Sequence, residues 1–305
     1  MTEPMDVLRS FEVRKTKAQK QAFRDAALAY AQNLGYAVKV ESGKRNVNNV
    51  VIGDPAAAEY LITAHYDTPA RMLLPNLLTP RNLLTFLLYQ FLVVGILLLA
   101  AGFAGWLAYL AGLPAFAFGY LVYFGLLALM MAGPANPHNA NDNTSGVVTL
   151  LEIARTLPEN QRHKVAFVLF DLEEMGLIGS AAYRKAHKAE TDRQIILNLD
   201  CVGDGNEIVL FPTKKLCKDS KKLRRLCSIV SRNGKKTISV CCKGFRYYPS
   251  DQKNFPYGVG IAAFRRKKRV GLYLSRIHTT KDTLLDETNV NILRAALTSL
   301  ISPGT

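Results

Sequence analysis

From Asn82 to Asn141 the chain carries not one Lys, Arg, Asp or Glu, and this uncharged run restricts the fold more than any other feature. Within it Leu83–Leu110 and Leu113–Met131 are almost wholly apolar, separated by the punctuation Gly112-Leu113-Pro114. A hydrocarbon core of about 30 Å takes about 20 helical residues, with roughly 17 tolerated, so each piece is long enough to cross a bilayer. The competing arrangement is an unusually apolar helical hairpin buried in protein, or folded as a lid over it, but few soluble domains cover that much uncharged surface. A two-helix hairpin returns the chain to its starting side. Arg71 and Arg81 precede the first piece and the turn carries no charge, so the positive-inside rule predicts a two-span membrane protein with its soluble parts and both termini in the cytoplasm. Trp106, Tyr109, Tyr120 and Tyr123 bracket the turn, as residues at the distal headgroup layer do.

The remainder is enough for one large domain, discontinuous in sequence: residues 1–81 and 134–305 around an insert at 82–133. Lys and Arg total 39 against 24 Asp and Glu, a formal net charge of +15, which favours anionic partners. Arg265-Arg266-Lys267-Lys268-Arg269 and the stretch from Lys214 to Arg225 are solvated faces or, beside two membrane spans, surfaces for anionic lipid headgroups. No nucleic-acid fold motif or aromatic interleaving accompanies them, so no nucleic acid is expected as a partner. Five cysteines, Cys201, Cys217, Cys227, Cys241 and Cys242, form no CxxC pair, fit a reducing compartment and receive no role.

Helical periodicity covers Arg9–Leu34, ending at Gly35, and short strand-like runs follow at Ala37–Glu41, Asn49–Ile52 and Tyr60–Ala64. After the apolar insert, Val147–Leu157 reads as a helix, Lys164–Phe170 as a buried strand, Ser180–Ala189 as a helix and Gln194–Leu199 as another buried strand. The alternation predicts an α/β fold, a largely parallel mixed sheet flanked by helices, carrying the inserted hairpin.

Three of these strands end in residues able to bind metal. Tyr60–Ala64 runs into His65-Tyr66-Asp67, Lys164–Phe170 into Asp171-Leu172-Glu173-Glu174, and Gln194–Leu199 into Asp200. Open α/β sheets bind ligands beyond the carboxyl ends of their strands, so these groups can converge. Asn141-Asp142-Asn143-Thr144-Ser145-Gly146, a polar turn opening a helix, and His278 in a late His-Thr-Thr-Lys-Asp-Thr segment join them. Singly each is weak: a Glu-Glu pair usually opens a solvated helix, and Asp-Asn-Thr-Ser-Gly reads first as a turn or cap.

In this order they resemble the M28 family of zinc peptidases. That family shows His-x-Asp, a bridging Asp before Asn-x-Ser-Gly, Glu-Glu-x-Gly-Leu-x-Gly-Ser, Asn-x-Asp and a late His-Thr-x-x-Asp-Thr. Here the segments are His65-Tyr66-Asp67, Asp142 through Gly146, Glu173 through Ser180, Asn198-Leu199-Asp200 and His278 through Thr283. The resemblance covers nearly all of the chain outside the apolar insert. It implies two zinc ions, or another divalent metal such as cobalt or manganese. One would be held by His65, Asp142 and Asp200, the other by Asp142, Glu174 and His278. Such ligand sets suit zinc, which takes imidazole and carboxylate donors. The resemblance further implies Glu173 as general base and Asp67 as the group that fixes the His65 tautomer, with Asp282 doing the same for His278.

The activity implied is removal of N-terminal residues from peptides. Two departures stand out: Ile277 lies where some members have a Tyr before the last His, and Ser250-Asp251-Gln252 has Gln where the family has His, a segment expected to shape the substrate pocket. Alternatives on the same scaffold are a carboxypeptidase, a glutaminyl cyclase, whose relatives typically hold a single zinc with an incomplete ligand set, and a non-catalytic membrane scaffold. The intact ligand set and Glu173 argue against the last two.

Overall fold

The computed structural model describes residues 1–302. The chain opens with α1 (Asp6–Ser10) and α2 (Lys17–Asn33), then strands β1 (Val38–Ser42), β2 (Asn48–Ile52) and β3 (Tyr60–His65). Two long helices follow, α3 (Leu83–Leu110) and α4 (Ala115–Ala132), and then α5 (Gly146–Thr156), β4 (Val165–Phe170), α6 (Ile178–Ala186), α7 (Lys188–Thr191) and β5 (Ile195–Leu199). The last third holds β6 (Glu207–Pro212), α8 (Lys214–Lys218), α9 (Ser220–Cys227), β7 (Ser231–Asn233), β8 (Lys236–Val240), β9 (Gly258–Lys267), β10 (Gly271–Tyr273) and α10 (Glu287–Ile301).

The strands form one mixed sheet in the order β1-β2-β4-β3-β5-β9-β6-β8-β7, with β10 on β9. Its centre, β4-β3-β5-β9, is parallel, and the flanking pairs β1/β2, β2/β4, β6/β9 and β7/β8 are antiparallel. Both faces of the centre are covered, which is why these strands read as unbroken apolar runs. Val165, Phe167 and Leu169 of β4 face the side packed by α2, α5 and α10, through Phe23, Leu150 and Leu297. Ala166, Val168 and Phe170 face the opposite side, where Tyr183 of α6 and Phe255 lie.

The expected helix over Arg9–Leu34 starts only at Lys17. Thr16 stops it with a capping box, its hydroxyl accepting the Gln19 N–H and its own N–H donating to Gln19 Oε1. Residues 11–15, between α1 and this cap, are therefore not helical and carry Arg14 inside the protein, where it is fully buried.

The hairpin boundaries follow local chemistry. Asn82 caps α3 with its side chain, accepting the Thr85 N–H, and Pro114 precedes the first turn of α4. Both helices are long and apolar enough to cross a membrane. They pack on one another through small residues. A Cβ on Gly105 would lie 2.8 Å from the Ala115 carbonyl oxygen, so the backbones meet where only glycine fits. Their outer faces leave Phe91, Leu99 and Phe116 exposed.

One expectation is corrected. The cysteine pattern predicts free thiols of a reducing compartment with no role, yet Cys217 and Cys242 are joined in a disulfide across a Cα–Cα distance of 5.8 Å, leaving Cys201, Cys227 and Cys241 free. Cys217 at α8 and Cys242 after β8 are distant in sequence, so no CxxC spacing signals the pair.

Candidate metal centre

His65 ends β3, Glu174 follows β4 and Asp200 follows β5, so the parallel centre delivers three donors to the same sheet edge. Asp142 comes from the segment that opens α5, and His278 from the loop after β10. All five meet. His65 Nε2 lies 3.2 Å from Asp142 Oδ1 and 3.7 Å from Asp200 Oδ1. His278 Nε2 lies 3.0 Å from Asp142 Oδ2 and 3.6 Å from Glu174 Oε2. The two oxygens of Asp142 thus face two different imidazoles, and the donors group as His65–Asp142–Asp200 and Asp142–Glu174–His278.

These spacings fit zinc: donors about 2.0–2.1 Å from one tetrahedral ion lie about 3.3–3.4 Å apart. The electrostatics fit a cation as well. Burial, together with Asp142, pushes Glu174 up to about 8, and its Oε1 has no hydrogen-bond partner. His278 is pushed up to about 9, because the carboxylates of Glu174 and Asp142 outweigh the burial that would lower it. Crowded buried acids that can ionise together only beside positive charge are a hallmark of metal sites.

Glu173 places a carboxyl oxygen within 4.8 Å of the donors of His65 and Glu174 without belonging to either Asp142 set, and burial holds its pKa well above the carboxylate range. Asp67 was expected to orient His65. Its Oδ1 lies 3.5 Å from His65 Nδ1, beside the ring but at more than ordinary hydrogen-bond length. The Asp67 carboxylate instead accepts the backbone N–H groups of Glu173 at 3.0 Å and Glu174 at 3.2 Å. Asp282 departs from expectation in the same way. It accepts the N–H groups of Asn141 at 2.8 Å and Asp142 at 3.0 Å, and so holds the Asp142 backbone rather than the His278 ring. Asp171, at the end of β4, pairs with Lys20 at 2.6 Å and takes no part in either donor set.

The turns that present these side chains are demanding. Leu172, Cys201 and His278 have left-handed backbones, with φ of 54°, 56° and 60°. Such non-glycine conformations cost about 1–3 kcal/mol each and persist only when the surroundings impose them. Asn143 supplies part of that constraint, donating to the Leu199 carbonyl at 2.9 Å and accepting the Cys201 N–H at 3.3 Å. Gly146 allows this approach, because a Cβ there would lie 2.4 Å from the Leu199 oxygen.

Ser250, Asp251 and Gln252, expected to shape the substrate pocket, are buried behind it. Asn198 donates to Ser250 Oγ at 2.9 Å, and Ser180 donates to the Asp251 carboxylate, which burial raises to about 7. The residues just before them do line the cleft: Tyr247, Tyr248 and Pro249 face Asp142, Glu173, Glu174, Asp200 and His278 across a cavity of about 450 Å³. Tyr248 donates its hydroxyl to the Asp200 carbonyl at 2.9 Å. Sequence reasoning also missed Arg14. Its guanidinium lies under the site, donating to the Tyr66 carbonyl at 2.5 Å and to Thr144 Oγ1 at 3.2 Å, and burial lowers it to about 10. An arginine amid a Lys/Arg-rich segment gives no sign of burial; only the Thr16-x-x-Gln19 cap after it hinted that it lay outside the helix.

A family profile described as Peptidase family M28 matches residues 128–300. Aminopeptidase YwaD of Bacillus subtilis is 40% identical over 73 residues, a stretch that is 23% of this chain and only 16% of that protein's length. Among solved structures, a glutaminyl cyclase of Porphyromonas gingivalis superimposes with a TM-score of 0.63 at 15% identity, covering 99% of this chain and 97% of that one. A Zn-dependent exopeptidase from Parabacteroides distasonis gives 0.61 at 16% identity, covering 97% and 94%. The LapA aminopeptidase of Legionella pneumophila gives 0.57 at 13%, covering 98% and 68%. At these identities the structural likeness speaks for the fold.

Proposed function

The chain belongs to peptidase family M28, and from that premise we propose that it is a membrane-anchored, two-zinc aminopeptidase. The observation that carries the proposal is the position of Asp142, with one oxygen toward His65 and the other toward His278. His65, Asp142 and Asp200 would hold one ion, and Asp142, Glu174 and His278 the other. Three carboxylates and a hydroxide balance two dications. Bound there, zinc lowers the pKa of a shared water and polarises the scissile carbonyl.

The protein's own groups do the rest. Glu173 accepts a proton from the attacking water as the C–O bond forms, and delivers it to the amine nitrogen as the C–N bond breaks. Asp67 keeps the Glu173-Glu174 backbone in place through its two accepted N–H groups.

Residues 1–81 and 134–305 form the peptidase domain in this reading, and 82–133 the anchor, whose exposed Phe91, Leu99 and Phe116 meet lipid. Arg71, Arg265, Arg276 and Lys281 line a cavity of about 770 Å³ beside the strap that leads into α3, a surface suited to anionic headgroups.

The test compares wild type with Glu173→Gln on peptides with free and blocked N-termini, measuring bound zinc in both. Two zinc ions retained with hydrolysis lost is the expected result. Equal cleavage of free and blocked peptides removes the aminopeptidase assignment. A peptide beginning with Gln tests the second reading, glutaminyl cyclase chemistry, the activity named for one solved structure of the same fold. Ring closure with release of ammonia, in place of hydrolysis, would establish it. Two complete ligand sets favour hydrolysis.

A further inference from the structure

Helix α3 contains a single amide side chain, Gln90, one turn after Phe86. Residues four apart share a helix face. That face does not look into lipid: Phe86 and Gln90 line the cavity that holds Asp142, Glu173 and His278, and Met131, at the returning end of α4, joins them. A polar group on an apolar membrane helix is costly unless it faces a cavity or a partner.

The base of α3 is fixed in this position. The Phe86 ring lies 5.0 Å from that of Tyr247, whose N–H donates to the Pro80 carbonyl at 2.9 Å. Leu78 and Leu274 exchange backbone hydrogen bonds of 3.0 and 2.9 Å, and the Met72 N–H donates to the His278 carbonyl at 2.8 Å. The segment leading into the hairpin is therefore stitched to the two loops that carry the site.

Length places this face in the membrane. At 1.5 Å per residue α3 is about 42 Å long, roughly 12 Å more than the hydrocarbon core needs. That excess is about two turns, which reaches from Leu83 to Gln90 when Leu110 sits at the far boundary. The Phe86–Gln90 face then lies in the headgroup layer.

We infer that the base of the hairpin is the substrate-binding wall of the enzyme, an inference that rests on the peptidase reading above. Phe86 and Met131 hold an apolar first side chain, and Gln90 hydrogen-bonds the peptide backbone behind it. The substrates are peptides whose apolar N-terminal segment lies in the headgroup layer of a bilayer.

The test uses the full chain in phosphatidylcholine nanodiscs, loaded with zinc and carrying Glu173→Gln so that peptides bind without turnover. Fluorescence anisotropy measures two C-terminally labelled peptides differing only in a first residue of Leu or Asp. Phe86→Ala and Met131→Ala are expected to weaken the Leu peptide about tenfold and spare the Asp peptide, since each removes a large apolar contact. Gln90→Leu weakens both, while Leu99→Ala on the lipid-facing side changes neither. Bound zinc reports folding of each variant. Unchanged Leu-peptide affinity in zinc-loaded Phe86→Ala and Gln90→Leu overturns the inference, even if the parent hydrolyses peptides. The expected binding pattern in a parent that hydrolyses none supports the wall and overturns the peptidase reading. A second arm compares KM for a Leu peptide with a free N-terminus, held on vesicles by a C-terminal lipid, and its soluble form, and equal values reject the headgroup-layer substrate.

Discussion

The Asp67 carboxylate accepts the backbone N–H of Glu173 at 3.0 Å, a bond that ties the end of β3 to the residue best placed to move a proton. With Glu174 bonded to the other oxygen, one side chain fixes both members of the Glu-Glu pair.

Asp67→Ala is accordingly expected to lower kcat about 10–100-fold, the usual effect of removing a group that supports a metal site from behind. Bound zinc stays near two per chain, and Asp67→Asn, which keeps one acceptor, loses less. A group acting mainly on the His65 ring would instead show itself in zinc affinity. Steady-state kinetics with metal analysis on the two variants separate these roles.

Asp282 is the counterpart on the other side, and its loss is predicted to strike metal affinity. By accepting the N–H groups of Asn141 and Asp142 it sets the direction of Asp142, the ligand both ions would share in the proposed centre. Asp282→Ala is expected to weaken zinc binding about 10–100-fold in competition with a chromophoric chelator. An affinity equal to wild type would show that the Asp142 loop holds its shape without it.

Both partnerships explain what the sequence reveals and what it hides. Strand ends at His65, Glu174 and Asp200 are legible because buried parallel strands read as apolar runs and ligands gather at their carboxyl ends. The limits of the hairpin are legible too, because charge disappears between Asn82 and Asn141. The motifs point to Asp67 and Asp282, but the partners of both are backbone N–H groups supplied by long-range folding, which spacing cannot disclose. The same holds for the left-handed backbone at Cys201 and for the turn of α3 that brings Phe86 and Gln90 into the cleft.

Arg14 gives a stability prediction. It donates to carbonyls of Tyr66 and Phe11 and to the Thr144 hydroxyl, so one buried fork joins the extended N-terminal segment to two ligand-bearing loops. Arg14→Met leaves those acceptors unpaired, at about 1–3 kcal/mol for each buried group. Arg14→Lys is expected to recover little, since an ammonium cannot reproduce the planar fork. Chemical denaturation of zinc-loaded protein in detergent measures the loss, and a wild-type midpoint in Arg14→Lys would refute the fork argument.

Protein stripped of metal is predicted to weaken as pH rises. Glu174 is raised to about 8, Asp251 and Asp282 to about 7 and His278 to about 9, so all four bind protons more tightly folded than unfolded. Their stabilisation is complete below the unfolded values and is lost as pH climbs through the folded ones. The Tm of chelator-treated protein is therefore expected to fall between about pH 4 and about pH 9, while zinc displaces the protons of Glu174 and His278 and raises Tm more at the alkaline end. A zinc-induced shift that is flat with pH, measured by scanning fluorimetry, contradicts this.

Orientation is the last expectation open to a direct measurement. If α3 and α4 span the bilayer, Leu113 between them emerges on one side and the exposed Cys227 lies on the other with the metal centre. By the positive-inside rule, Arg71 and Arg81 at the base, against an uncharged turn, predict that Leu113 lies outside. A membrane-impermeant maleimide on intact cells is expected to label Leu113→Cys at once and Cys227 only after lysis. The reverse pattern inverts the topology, and labelling of both or neither removes the spanning hairpin. The bonded pair Cys217–Cys242 adds an independent check, because a cytoplasmic domain faces a glutathione pool that keeps thiols reduced. Thiol trapping in living cells separates the two placements: Cys217 and Cys242 recovered as thiols fit a cytoplasmic domain, whereas a pair that stays bonded, as it is in the structure, argues for the metal centre on the oxidising side.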